Sequence, residues 1–141
     1  MVHALEMAWR SLRADGVLVD IRPDVDFNFR IGIVTGGRRV TAGRLVNPAF
    51  RPPLVASQTA IQQVLQRRLF ALGAVRRHSY RVRLDRLSQV ADYIAANSDP
   101  KPRLGRGTRA RLRELWRRRD PNTRIEITDG FVISVLWRRS V

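Results

Sequence analysis

The chain has 141 residues, no cysteine, and 27 basic against 12 acidic residues, for a net charge of +15. That length suits one domain over residues 1–141 with a real core. The missing cysteine excludes a disulfide framework or a thiolate site, and no apolar run is long enough to cross a bilayer.

Of the basic residues, 26 are Arg and only Lys101 is Lys. Two origins of this bias compete. Phosphate recognition favours the planar guanidinium. A GC-rich genome also favours Arg codons, which explains Arg in place of Lys but not the scarcity of acids. Glu6 and Arg10 interrupt what would be the apolar core of a signal peptide, so a cytoplasmic location is expected.

The pattern opens with a helix, because Leu5, Ala8, Trp9 and Leu12 recur on one face. Gly16 stands where a helix end calls for positive φ, and Val17–Ile21 reads as a buried strand. Pro23 marks the exit from that strand. Phe27, Phe29, Ile31 and Ile33 alternate as a half-buried strand, and Gly36-Gly37 turns it into a hairpin with Arg38–Val46. Asn47–Pro53 reads as loop. Ser57 is the expected N-cap of a helix striped by Ile61, Val64, Leu65, Leu69 and Leu72 and ended by Gly73; Arg68 falls within its apolar arc.

In Val75–Leu84, Tyr80, Val82 and Leu84 alternate with Arg81 and Arg83, as in a strand. Asp85 is the expected cap of a third helix carrying Leu87, Val90, Ala91 and Ile94. The stretch Asn97–Gly107 reads as a mobile loop, having two Pro and two Gly within it. Thr108 is the expected cap of a fourth helix, with Leu112, Leu115 and Trp116 facing inward. Thr123–Thr128 and Phe131–Arg138 read as a hairpin about Asp129-Gly130, its second strand lying beside the opening one. The three tryptophans, Trp9, Trp116 and Trp137, are expected to anchor the core.

The segment Leu12-Arg13-Ala14-Asp15-Gly16-Val17-Leu18 resembles the late helix–Gly-turn–strand motif of class I S-adenosylmethionine-dependent methyltransferases. Pro-Gly-Gly of that family stands here as Ala14-Asp15-Gly16. The order of later elements is also similar. The resemblance implies the C-terminal half of such a fold: α+β, with a mixed, largely antiparallel sheet of about five to six strands and about four helices. The family's Gly-rich turn and ribose carboxylate belong to its other half. Gly36-Gly37 and Gly105-Arg106-Gly107 do not form G-x-G-x-x-G, so no cofactor and no independent catalysis are expected.

Candidate chemistry is sparse. Asp20, Asp24 and Asp26 form an acidic cluster that reads as turn caps and Arg partners rather than a cation site. His3 and His78 lack a partner motif for acid–base work. The segment from Lys101 to Arg119 is the most suggestive. It holds Lys101, Arg103, Arg106, Arg109, Arg111, Arg113, Arg117, Arg118 and Arg119 against Glu114 alone. Arg109, Arg113 and Arg117 share one helix face, where like charges repel and an anion would relieve them.

Three functional readings follow. The first is a non-catalytic protein acting through self-association or a protein partner, since half a sheet leaves an open edge. The second is nucleic-acid or anion binding through residues 101–119. The third is a methyltransferase half completed in trans by a cofactor-binding chain.

Overall fold

A computed structural model describes residues 1–26, 29–97 and 100–140. Phe27, expected in the first alternating strand, lies outside the described residues, as do Ser98 and Asp99 of the expected loop. The elements in order are α1 (Val2–Ser11), β1 (Val17–Pro23), β2 (Arg30–Thr35), β3 (Arg38–Val46), α2 (Arg51–Gln66), β4 (Phe70–Leu84), α3 (Ser88–Ala96), β5 (Arg103–Leu104), α4 (Thr108–Arg117) and β6 (Arg124–Arg138). Four α-helices and a six-strand antiparallel sheet make this an α+β fold, the class expected. Among the described residues no helix is long and apolar enough to cross a membrane.

The chain divides into two compact units. The first comprises Met1–Asp26, Phe50–His78 and Phe131–Val141. In it β1 pairs antiparallel with the end of β6, from Val17 opposite Trp137 to Pro23 opposite Phe131. One face of this ladder is covered: Leu18, Leu136 and Phe70 pack with Ile61 and Val64 of α2 and with Leu5 and Trp9 of α1. Alternation sends Val19, Ile21 and Trp137 to the opposite face, where they stay 53%, 65% and 48% exposed. This corrects two expectations. Val17–Ile21 is not a buried strand, and Trp137 is not a core anchor, because helices cover only one face. Trp9 does pack, donating from Nε1 to the Arg139 carbonyl at 3.1 Å. Gly16 is not at positive φ. It is required because a Cβ there would stand 2.9 Å from the Arg13 carbonyl oxygen and from Leu12 Cβ.

Helix α2 starts at Arg51, six residues before Ser57. Pro52 and Pro53 occupy its first turn, where no intrahelical N–H is needed. Ser57 is inside the helix, its hydroxyl donating to the Pro53 carbonyl. The helix also ends early, at Gln66. Leu69 N–H reaches the Val64 carbonyl and Arg68 N–H the Leu65 carbonyl, a Schellman ending. The left-handed position of that motif, normally glycine, is Arg68 at φ 60°. Arg68 therefore interrupts the apolar arc because it terminates the helix, and Leu69–Leu72 turns into β4.

The second unit comprises Phe27–Ala49 and Ser79–Gly130. The β2–β3 hairpin turns at Gly36-Gly37 with φ of 52° and 75°, as expected. Strand β2 also pairs with Arg124–Thr128 of β6, and β3 with β5. Part of the expected loop 97–107 is thus a short ladder. Ile31, Ile33, Ile125, Ile127 and Leu45 form a core with Val90 of α3 and Leu112 and Trp116 of α4. Helix α4 closes tightly on β3: a Cβ at Gly43 would stand 2.0 Å from Thr108 Oγ1.

The caps differ from expectation. Gly107 is the N-cap of α4, and Thr108 is its first residue, accepting from Arg44 N–H at 3.3 Å. Leu87, not Asp85, is the N-cap of α3, with no side-chain cap; Gln89 Oε1 instead accepts from the N–H groups of Asp85 and Arg86, ahead of the helix. The Asp129-Gly130 hairpin does not form. Strand β6 continues through it, and the Asp129 carboxylate accepts from Gly130 N–H and from the Tyr80 hydroxyl. The second expected strand of that hairpin nevertheless lies beside β1, as the tail of β6.

Arg68 offers a direct test. A side chain in the left-handed region costs about 1–2 kcal/mol, and glycine recovers most of this less its own entropy. Arg68→Gly should therefore raise stability by about 0.5–1 kcal/mol in urea denaturation, whereas Arg68→Val should lower it.

Candidate anion-binding surface

The predicted basic segment lies in the second unit. All nine side chains are exposed, because Thr108, Leu112 and Trp116 take the buried face of α4. They are not equivalent. Arg111 and Arg118 pair with Glu114, at 3.0 and 3.4 Å. Arg119 lies over the Trp116 ring at 4.5 Å and donates to that residue's carbonyl. Among the described residues no carboxylate pairs with Lys101, Arg103, Arg106, Arg109, Arg113 or Arg117. Trp116 is core rather than a stacking platform, being 8% exposed.

A second basic cluster was not anticipated from the sequence. In β6, Ile125 and Ile127 face the core, so alternation sends Glu126 to the other side of the sheet. The Glu126 side chain is 2% exposed and ringed by guanidinium groups. Arg39 Nη2 is 2.5 Å from Oε1, Arg81 Nε 4.0 Å from Oε1, and Arg83 Nε 3.6 Å from Oε2. Three cations on one buried carboxylate leave an excess of positive charge. Arg30, Arg39 and Arg81 line a cavity of about 240 Å³ with Glu126 and the hydroxyl-bearing Thr41, Ser79 and Thr128. Only the Arg81/Arg83 alternation in β4 and the Ile-Glu-Ile pattern in β6 signal this cluster. Which strands lie side by side is not written in either.

The other predicted chemical groups serve structure. Arg77 bridges Asp24 and Asp26, at 3.4 and 3.2 Å, and Asp20 pairs with Arg22. His78 stacks on Phe131 with ring centroids 5.4 Å apart. His3 lies exposed, 3.9 Å from Glu6. Among the described residues no group of three His, Cys, Asp or Glu could hold a metal ion. Asp120 accepts from the Thr35 hydroxyl, from Asn122 N–H and from the Thr123 hydroxyl. The first of these chiefly holds its carboxyl below the usual Asp range.

Tyr80 and Tyr93 form a phenol pair beside Asp129. Burial, and then the Asp129 charge, push the Tyr80 hydroxyl well above its ordinary value and the Tyr93 hydroxyl in the same direction. Both shifts favour the protonated phenol.

No protein-family model, no curated protein and no solved structure matches the chain. The methyltransferase resemblance rests on the Leu12–Leu18 motif and the order of elements read from the sequence.

Tyr80 and Tyr93 are the chain's two tyrosines, so tyrosinate absorbance reads this pair alone. Its rise should come above the ordinary phenol value of about 10. The sign follows from linkage: with both values raised in the fold, their contribution to stability is whole below about pH 10 and is lost as pH climbs through the folded values. Asp129→Asn should move the absorbance midpoint downward.

Proposed function

We propose that the chain binds a polyanion, with nucleic acid as the natural candidate, through the basic segment 101–119. The observation that carries this reading is the state of α4. Arg109, Arg113 and Arg117 recur at four-residue spacing, stay exposed, and have no described carboxylate partner. Glu114 is already shared by Arg111 and Arg118, so it does not neutralise them. Repeated like charges on a helix cost a few tenths of a kcal/mol per pair, and a phosphate backbone would offset that cost by counterion release. Lys101, Arg103 and Arg106 extend the same basic run toward the start of the helix. Arginine recognises phosphate by a planar fork, which suits the segment to backbone contacts.

A specific observation also favours self-association. In the first unit, Val19, Ile21 and Trp137 form an apolar sheet face open to solvent, and apolar patches of this kind mark interaction surfaces. A second copy supplies an identical apolar face, and a two-fold pair would bury both. The two readings are compatible, since they rest on different residues.

The charge reading is tested by replacing Arg109, Arg113 and Arg117 with Gln. Binding to a single-stranded RNA should weaken for all sequences alike. The slope of log K against log salt should flatten by about 0.7 for each phosphate that the variant no longer neutralises. Stability should hold or rise by a few tenths of a kcal/mol as repulsion is removed. Unchanged RNA affinity would leave these arginines as solvated surface.

Self-association is tested with Ile21→Lys. Sedimentation of the parent should report a dimer that the variant splits, with the circular dichroism of both alike. A parent that stays monomeric at high concentration would end that reading.

A further inference from the structure

We propose that the cavity beside Glu126 is a binding site for a phosphate group that still carries a proton. The inference is independent of the α4 segment, since these residues lie on the sheet strands. Arg30, Arg39 and Arg81 line the cavity, and their forked donors match a tetrahedral oxyanion. Arg83 adds a fourth positive charge nearby, 3.6 Å from Glu126. One carboxylate against four guanidinium groups leaves the site electropositive.

Glu126 gives the site its selectivity. Its side chain is 2% exposed. Oε1 is buried and ion-paired with Arg39 Nη2 at 2.5 Å, but among the described residues no well-aligned hydrogen bond satisfies it, which leaves it acceptor capacity. A carboxylate oxygen only accepts. It therefore repels an oxyanion that has no proton, and accepts from one that presents P–OH. Sulfate near neutral pH has none. Orthophosphate keeps one, and a phosphate monoester keeps one below about pH 6. The hydroxyls of Thr41 and Ser79 stand in the lining and can donate to the remaining oxygens. With about 240 Å³, the cavity is smaller than the ~300–1,000 Å³ of drug-sized sites. It suits a phosphate group with at most a small ester.

Calorimetry on the full chain decides this, with inorganic phosphate, sulfate and glycerol 3-phosphate as ligands. Phosphate should bind at least about tenfold more tightly than sulfate, a difference of about 1.4 kcal/mol. Glu126→Gln places an amide donor beside the anion and should bring sulfate to within a few-fold of phosphate. The double change Arg39→Gln with Arg81→Gln, at two half-exposed positions, should abolish phosphate binding and keeps the test open if Glu126→Gln does not fold.

The ester arm separates the two sources. If glycerol 3-phosphate binds at about pH 5 and fades by about pH 8, the cavity admits monoesters through their proton. If orthophosphate alone binds, at both pH values, the cavity is closed to esters and the proton rule still holds. Equal affinity for phosphate and sulfate would overturn the proposal, as would absence of phosphate binding or its survival in the double variant.

Discussion

The alternation of side chains along β6 is the constraint on which the rest depends. Within the second unit, Ile125 and Ile127 are fully buried in the core. The same period of two places Glu126 on the other face, where it gathers Arg39, Arg81 and Arg83. Within the first unit, Leu136 seals the helix-covered face while Trp137 goes to the open one. A one-residue slip would invert every one of these assignments. It would bury Glu126 among isoleucines without a cation and set Ile125 and Ile127 on the face lined by guanidinium groups. The charge cluster and the apolar core are therefore two readings of one register.

That register also explains how the arginines are used. In the Glu126 cluster one buried carboxylate is shared by three guanidinium groups. On α4 the arginines are ordered only by their helix, and Glu114 engages Arg111 and Arg118 alone. A small, defined anion is accordingly proposed for the first and a long, adaptable one for the second. Codon bias has no bearing on which arginines acquire a partner.

Local chemistry was legible in the sequence wherever local chemistry decided the outcome. The opening helix, the Gly36-Gly37 hairpin, the alternation in β4 and the exposed run from Lys101 to Arg119 all follow from spacing and turn residues. Tertiary partners decided the rest. Asp129-Gly130 has turn chemistry, but the Tyr80 hydroxyl engages the Asp129 carboxylate and the chain continues as strand. Ser57 has cap chemistry, but Pro52 and Pro53 start the helix before it. Arg68 has helix propensity, but it sits at the left-handed position of a Schellman ending. The Glu126 cluster escaped for a related reason, since its members come from β2, β3, β4 and β6 and only lateral pairing brings them together.

The β2–β3 hairpin turns on two adjacent glycines, Gly36 and Gly37. Both residues have positive φ, yet a Cβ at either would meet nothing within 4 Å. The demand for glycine here is therefore one of handedness alone, with no steric share. A mirror-image residue such as D-alanine has this backbone region as its own preferred one. Set at either position by chemical synthesis, it would fit the turn without strain and would narrow the unfolded ensemble as well. The turn is achiral in composition but chiral in shape, and a D-residue would make the two agree.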